Sequence, residues 1–199
     1  MEGTDPVNKK LAAALSGGAV LVVALSGCTS SGGSENNDKL DAWAKQVCDA
    51  VQPQAKKIAA ANTAIQKETS DNSTPAEVRK TDAQAFQDMS DAYKAIGAAV
   101  KSAGAPNVDG GQKKQQDAVK ELNGIGASYA ALKKQVDELD TKDQAKFADG
   151  LKDIATQLDK LSTTGNDALK NLEAGDVGQA MAKQESCKTA ASSSSAAAG

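Results

Sequence analysis

Apolar and small residues recur at alternating steps of three and four along the first part of the chain. They fall at Leu40, Trp43, Val47, Val51, Gln54 or Ala55, Ile58, Ala61 and Ile65. Such spacing places one apolar stripe on an α-helix. Pro53 lies inside the stripe, where it removes one backbone hydrogen bond and bends a helix. We therefore predict a single bent helix over residues 38–69.

Turn and capping residues divide the rest of the chain into three more long helices. The segment Thr74-Pro75-Ala76-Glu77 predicts a helix start, with threonine as the cap, proline at the first helical position and glutamate reaching back. This helix is expected to end at Gly104-Ala105-Pro106. A third helix follows, and its apolar residues from Val119 to Leu139 form a nearly pure heptad seam.

The fourth helix is predicted to begin at a second capping sequence, Thr141-Lys142-Asp143-Gln144, and to run to about Glu173. Gly165 weakens it without shifting the apolar register, so one helix is favoured over two. After Ala174-Gly175-Asp176 the chain is expected to reverse into a short helix.

Four long helices joined by short connections predict an all-α protein, an up-down-up-down antiparallel four-helix bundle with a short returning C-terminal helix. The bundle domain covers residues 38–190 in this interpretation. Residues 191–199 contain only alanine, serine and glycine, a composition that predicts a disordered tail.

Residues 1–27 have the layout of a signal peptide, in which Lys9-Lys10 precede an apolar run from Leu11 to Leu25. Fifteen residues at about 1.5 Å each cover about 22 Å, less than the roughly 30 Å hydrocarbon core of a bilayer. We therefore predict a cleaved signal rather than a permanent transmembrane helix.

The first six residues are unusual for the start of a signal peptide. Glu2 and Asp5 are acidic, whereas this region is typically positive. The segment from Val7 onward has the expected character of a true start. We therefore predict that residues 1–6 are a misassigned extension.

The signal ends in Leu25-Ser26-Gly27-Cys28, which resembles the bacterial lipobox. The resemblance implies that Cys28 is diacylated and becomes the new N-terminus. Two acyl chains give a stable membrane anchor, because each buried CH2 contributes about 0.8 kcal/mol, whereas a single acyl chain binds the membrane reversibly. Residues 28–37 are polar and rich in Gly, Ser and Asn, which predicts a flexible lipidated tether. The expected location is the outer face of the cytoplasmic membrane, held by a diacylglyceryl anchor.

Two cysteines remain once Cys28 is acylated, and an exported protein is in an oxidising setting. Cys48 lies about ten residues up the first predicted helix, and Cys187 about eleven residues up the returning one. Each offset corresponds to about 15 Å, so the two thiols reach a similar height. We predict a Cys48–Cys187 disulfide.

The composition excludes several kinds of chemistry. The 199 residues contain no histidine, which removes Ser-His-Asp and Cys-His catalysis, haem ligation by His and the Glu-x-x-His di-iron sites of helical bundles. Arg79 is the single arginine and the net charge is -3, so nucleic acid is not an expected partner. We predict no enzymatic activity and no cofactor.

Four acidic residues surround the predicted turn between the third and fourth helices: Asp137, Glu138, Asp140 and Asp143. They lack the spacing of a calcium loop. A carboxylate at position 143 is expected at a helix N-terminus, where the helix dipole favours negative charge. We therefore predict no metal site.

Gly97, Gly126 and Gly165 fall inside predicted helices, where a glycine costs about 1 kcal/mol relative to alanine and needs a compensating use. They either permit close helix contact or leave a groove. The candidate residues for a small apolar ligand groove are Met89, Tyr93, Gly97, Gly126, Tyr129 and Gly165. Because aromatic residues at helical spacing usually belong to a core, packing is favoured and the groove is the alternative.

Several segments together resemble small secreted lipoproteins of Streptomyces and related actinobacteria. These are the start Val7-Asn8-Lys9-Lys10, the lipobox, residues 38–49 (Asp-Lys-Leu-Asp-Ala-Trp-Ala-Lys-Gln-Val-Cys-Asp) and Glu185-Ser186-Cys187-Lys188. The resemblance implies an exported helical protein of the cell envelope and supplies no functional residues. The leading functional hypothesis is a non-enzymatic module that binds an envelope or extracellular protein. The alternative is a binder of a small apolar or lipid-like ligand between the helices.

Overall fold

A computed structural model describes residues 34–68, 73–164 and 167–196, and every regular element in these ranges is an α-helix. The elements are α1 (Ser34–Glu68), α2 (Pro75–Ala103), α3 (Gly111–Asp137), α4 (Gln144–Thr164), α5 (Asp167–Leu172), α6 (Asp176–Lys183) and α7 (Glu185–Ala196). The predicted all-α class and helical bundle are confirmed. None of the helices in the described ranges is long and apolar enough to cross a membrane.

The predictions that concern residues 1–33 lie outside the described residues. They include the signal peptide, the start at Val7, the lipobox and the lipidation of Cys28.

Helix α1 begins four residues earlier than predicted. Residues 34–37, expected in a flexible tether, are helical. Glu35 lies in the first turn, where a negative charge is favourable, and Asn36 accepts a hydrogen bond of 3.0 Å from Asn107 Nδ2. The prediction of a tether up to residue 37 is therefore wrong. Pro53 is exposed inside the continuous helix, which confirms a single first helix.

The start of α2 is the capping box that the sequence predicts. Thr74 Oγ1 accepts a hydrogen bond from the Glu77 backbone N–H at 3.3 Å, and the Glu77 carboxylate accepts one from the Thr74 N–H at 2.9 Å. Pro75 occupies the first helical position.

The start of α4 differs from its prediction. Asp143, not Thr141, caps this helix, since its Oδ1 accepts bonds of 3.1 Å from both the Ala145 and the Lys146 N–H groups. The predicted capping box at Thr141 is wrong because the helix begins at Gln144, which leaves aspartate rather than threonine in the capping position.

Side-chain contacts show that consecutive long helices are antiparallel. Trp43, near the start of α1, donates a hydrogen bond of 2.9 Å to the carbonyl of Gly104, at the end of α2. Gln115, near the start of α3, donates to the carbonyl of Val100, near the end of α2.

Helices α4 and α5 follow each other along the chain and run antiparallel to α3. Gln157 of α4 exchanges two hydrogen bonds with Gln135 of α3, and the Leu169 N–H of α5 donates to the Glu121 carboxylate of α3 at 3.3 Å. The sequence predicted one helix here up to about Glu173. The described residues form α4 and α5 on either side of residues 165 and 166, which lie outside the described residues, so the prediction of one continuous helix stays a prediction.

The core lies between the helices as one large cluster and one small one. The fully buried large side chains of the main cluster include Val47, Ile65, Phe86, Met89, Leu122 and Ile154. The small cluster joins Val78 of α2 to Phe147 and Leu151 of α4, at the end of the bundle where α1 ends and α2 begins.

Helices α6 and α7 return along α1 and run parallel to it. Lys183 pairs with Asp41 at 3.1 Å, and further along Gln52 donates a hydrogen bond of 2.6 Å to Thr189. Between these contacts Cys48 and Cys187 form a disulfide with a Cα–Cα distance of 5.0 Å. The predicted disulfide is confirmed. The chain returns along α1 as predicted, but as two helices rather than one, because Gln184 between them has an extended backbone (φ -80°, ψ 125°).

The returning helix is longer than predicted. Helix α7 continues to Ala196, into the segment 191–199 for which the sequence predicts disorder. Its first turns are fixed by the disulfide and by buried Ala190, so the alanine-containing segment that follows extends an existing helix rather than nucleating a new one. Residues 197–199 lie outside the described residues.

Candidate functional site

The residues predicted for an apolar ligand groove lie in the interior wherever they are described. Met89, Tyr93 and Tyr129 are at most 8% exposed, and Gly97 and Gly126 are buried between α2 and α3. Gly165 lies outside the described residues. Packing, rather than a groove, is therefore the use of these side chains.

Gly97 and Gly126 allow α2 and α3 to approach closely. A Cβ atom at Gly126 would lie 2.9 Å from Lys94 Cγ and 3.0 Å from the Ser90 carbonyl oxygen. One at Gly97 would lie 3.2 Å from Asn123 Oδ1. At the closest point the Ser90 hydroxyl donates a hydrogen bond of 2.7 Å to the Gly126 carbonyl. The space that a groove would need is occupied.

The two tyrosines stack on each other beside this contact. Their ring centroids are 5.6 Å apart and the rings are 9° from parallel, while Phe86 lies 6.0 Å from Tyr129. Burial raises the pKa of Tyr93 to about 12, and burial together with Tyr93 raises the pKa of Tyr129 as well. Both phenols are neutral near pH 7, so they serve as core groups and not as acid–base groups.

Three of the four acidic residues around the turn between α3 and α4 have a side-chain partner or a capping role. Asp137 pairs with Lys133 at 2.6 Å, and Asp140 accepts a hydrogen bond from the Lys142 N–H at 2.9 Å. Hydrogen bonds from Lys146 and Ala145 lower the pKa of the Asp143 carboxyl that caps α4. Within the described ranges no three His, Cys, Asp or Glu residues form a group that could hold a metal ion.

A groove of about 520 Å³ lies between the second half of α1 and the first half of α2. Small residues form much of its lining, and charged and polar residues complete it. The lining residues are Ala60, Ala61, Ala64, Glu68, Glu77, Lys80, Thr81, Gln84, Ala85 and Asp88. We call this the α1–α2 groove. The sequence analysis missed it, since each of its alanines is also an ordinary helix-forming residue.

Asp82 is a buried carboxyl beside the α1–α2 groove. It follows groove residue Thr81 and is only 2% exposed. Burial and, to a smaller extent, the negative charge of Glu68 raise the pKa of Asp82 to about 7. The sequence analysis missed this residue, although its position four residues after Val78 and seven before Met89 places it on the apolar stripe of α2.

A second carboxyl with a raised pKa lies at the opposite end of the bundle. Glu173 follows α5 directly and is half-buried, and burial raises its pKa to about 7. The two carboxyls are therefore too far apart to act as a catalytic pair.

Comparison with known protein families, curated proteins and solved structures found no match for this chain.

Replacing Gly126 with alanine tests the close helix contact. We expect Gly126→Ala to lower the free energy of unfolding by about 1–2 kcal/mol, because the added methyl group meets Lys94 and the Ser90 carbonyl. Gly124→Ala is the matched control, since nothing lies within 4 Å of a Cβ there and alanine favours helix by up to about 1 kcal/mol. Urea denaturation measures both. Equal effects of the two substitutions would contradict the role assigned to Gly126.

Replacing Asp82 with asparagine tests the burial of its carboxyl. The raised pKa means that the Asp82 carboxyl group stays protonated up to about pH 7 in the folded protein, whereas it loses its proton near pH 3.8 in the unfolded chain. The wild type should therefore lose stability relative to Asp82→Asn as the pH rises from about 4 to about 7. The difference at pH 8 reaches up to about 4 kcal/mol, since one pKa unit corresponds to about 1.4 kcal/mol.

The matched control is Asp153→Asn, which neutralises an exposed carboxylate on α4. Urea denaturation across this pH range should show little change for the control. A stability difference between the wild type and Asp82→Asn that does not vary with pH would contradict the assignment.

Proposed function

We propose that the protein is a lipid-anchored, non-enzymatic interaction module of the bacterial cell envelope, which presents one end of its helical bundle to a protein partner. The arrangement that carries the proposal is a long helix that begins six positions after Cys28 and carries the α1–α2 groove near its far end.

The length of α1 separates the two ends of the bundle. Its 35 residues span about 52 Å at 1.5 Å per residue. The link from Cys28 to Ser34 reaches at most about 21 Å when extended. An acyl anchor on Cys28 therefore keeps the start of α1 close to the membrane, and the α1–α2 groove begins about 40 Å further along the helix, at Ala60.

The chemistry of the chain supports binding rather than catalysis. There is no histidine in the sequence. The two described cysteines are bonded to each other, and the two tyrosines are buried in the core. Met89, Tyr93 and Tyr129 pack against their neighbours, so the space between α2 and α3 is filled by side chains of the core.

Site-specific photo-crosslinking in intact cells tests this function. A photoreactive amino acid at exposed Gln84, in the α1–α2 groove, should give a reproducible adduct with another protein. The same amino acid at exposed Gln112, near the start of α3 and the membrane-proximal end, is the matched control and should give little of that adduct. A Cys28→Ala variant should lose the adduct because the protein is no longer held at the membrane.

Two outcomes would count against the proposal. One is the absence of a reproducible protein adduct at Gln84, and the other is an adduct that forms equally well in the Cys28→Ala variant. Crosslinks to lipid instead of protein would support the alternative of a lipid-like ligand.

A further inference from the structure

The α1–α2 groove has the size and form of a site for a short extended chain. Its lining runs from Ala60 to Glu68 on α1 and from Glu77 to Asp88 on α2. These stretches correspond to about 12 Å and about 16 Å of helix. An extended peptide advances about 3.3 Å per residue, so four or five residues fit along the groove.

Alanines create the depth of the groove. Ala61 and Ala85 are buried, and Ala64 is half-buried between the two helices. Methyl groups in these positions leave room that longer side chains would fill. They also offer an apolar surface to small side chains of a ligand.

The charge of the lining is negative. The lining contains three carboxylates and one ammonium group. The carboxylates belong to Glu68, Glu77 and Asp88, and the ammonium group belongs to Lys80. Gln84 Nε2 donates a hydrogen bond of 2.9 Å to Asp88, but in the part of the chain that the structure describes no lysine or arginine forms an ion pair with Glu68 or Asp88. The net negative charge of the lining therefore favours a positively charged ligand.

The carboxylates of Glu68 and Asp88 are separated along the groove. Because α1 and α2 are antiparallel, with Trp43 beside Gly104, Glu68 lies level with about residue 80 of α2. Asp88 lies eight residues further, or about 12 Å. In an extended peptide, residues four apart point to the same side and are separated by about 13 Å. Two basic side chains with three residues between them match this spacing.

We propose that the α1–α2 groove binds a basic peptide segment of a partner protein, in which two Lys or Arg residues four positions apart meet Glu68 and Asp88 while small residues between them lie on the alanines. This inference rests on the proposed function and specifies the chemistry of the partner. A second copy of the chain is disfavoured, since a two-fold contact would bring the same acidic lining against itself.

The pKa of buried Asp82 provides a second way to detect binding at the α1–α2 groove. Glu68 contributes to the raised pKa of Asp82, so a cation held at Glu68 should offset that effect and favour the ionised form. By linkage, binding of the basic segment should lower the pKa of Asp82.

The test uses the folded domain with its disulfide and the acetylated, amidated peptide Lys-Ala-Ala-Ala-Lys. Amide chemical shifts of the 15N,13C-labelled protein should change at the groove residues, with a Kd on the order of 1 mM or tighter. The carboxyl carbon of Asp82 should titrate at lower pH in the presence of the peptide. The peptide Glu-Ala-Ala-Ala-Glu should leave the groove residues unchanged.

Three variants locate the binding. Ala64→Leu fills the groove, and Glu68→Gln and Asp88→Asn each remove one charge. Each should weaken the binding of Lys-Ala-Ala-Ala-Lys at least about fivefold, equivalent to about 1 kcal/mol. Asp153→Asn removes an exposed charge on α4 and should leave the binding unchanged. Their amide spectra should match the wild type outside the substituted region.

Several results would overturn the inference. They are the absence of shifts at the groove, equal binding of the acidic peptide, and equal weakening by Asp153→Asn. Tighter binding of spermidine than of the peptide would instead assign the groove to small polyamines. A dimer in sedimentation that Ala64→Leu abolishes would assign it to a second copy. If the Gln84 crosslink forms unchanged in the Ala64→Leu protein, the interaction module stands and only the basic segment fails.

Discussion

The close approach of α2 and α3 at Gly126 sets the spacing on which the core depends. The backbones come near enough for the Ser90 hydroxyl to reach the Gly126 carbonyl at 2.7 Å. The same approach stacks Tyr93 on Tyr129. The chain has one Trp, two Tyr and two Phe, and all of them are buried. In a protein with so few large side chains, tight backbone packing replaces much of the volume that aromatic residues supply in other cores.

The bundle built around this contact has two different ends. One holds the start of α1, six positions after Cys28, and the other holds the groove and the small cluster around Phe147. The Cys48–Cys187 disulfide fixes the returning helices against the first half of α1, nearer the end that holds the start of α1. A rigid helix held at one end by the proposed anchor on Cys28 would display its other end, and this asymmetry links the fold to the proposed role.

Local signals in the sequence predicted the elements and their order. The capping box of Thr74 and Glu77 uses residues three apart, so it is readable without tertiary structure. The disulfide was predicted from the heights of Cys48 and Cys187 in the bundle, which depend only on the helix rise. The start of α1 was not predictable in this way, because the Asn36–Asn107 bond joins residues 71 positions apart.

The candidate site was less predictable than the fold. Glycines inside helices left two interpretations open, and only the position of Ser90 and Lys94 opposite Gly126 decides between them. The α1–α2 groove requires small residues on two helices to meet, which no single helix reveals. Asp82 is different, because an acidic residue on an apolar stripe is visible in the sequence and was overlooked.

Nonreducing intact mass and peptide mapping of the mature protein, extracted from its native membrane, test the central claim most directly. The account predicts a chain that begins at a diacylated Cys28 and contains a Cys48–Cys187 bridge. An unmodified Cys28, or a chain that retains residues 1–27, would contradict the membrane-anchored display on which the proposed function is built.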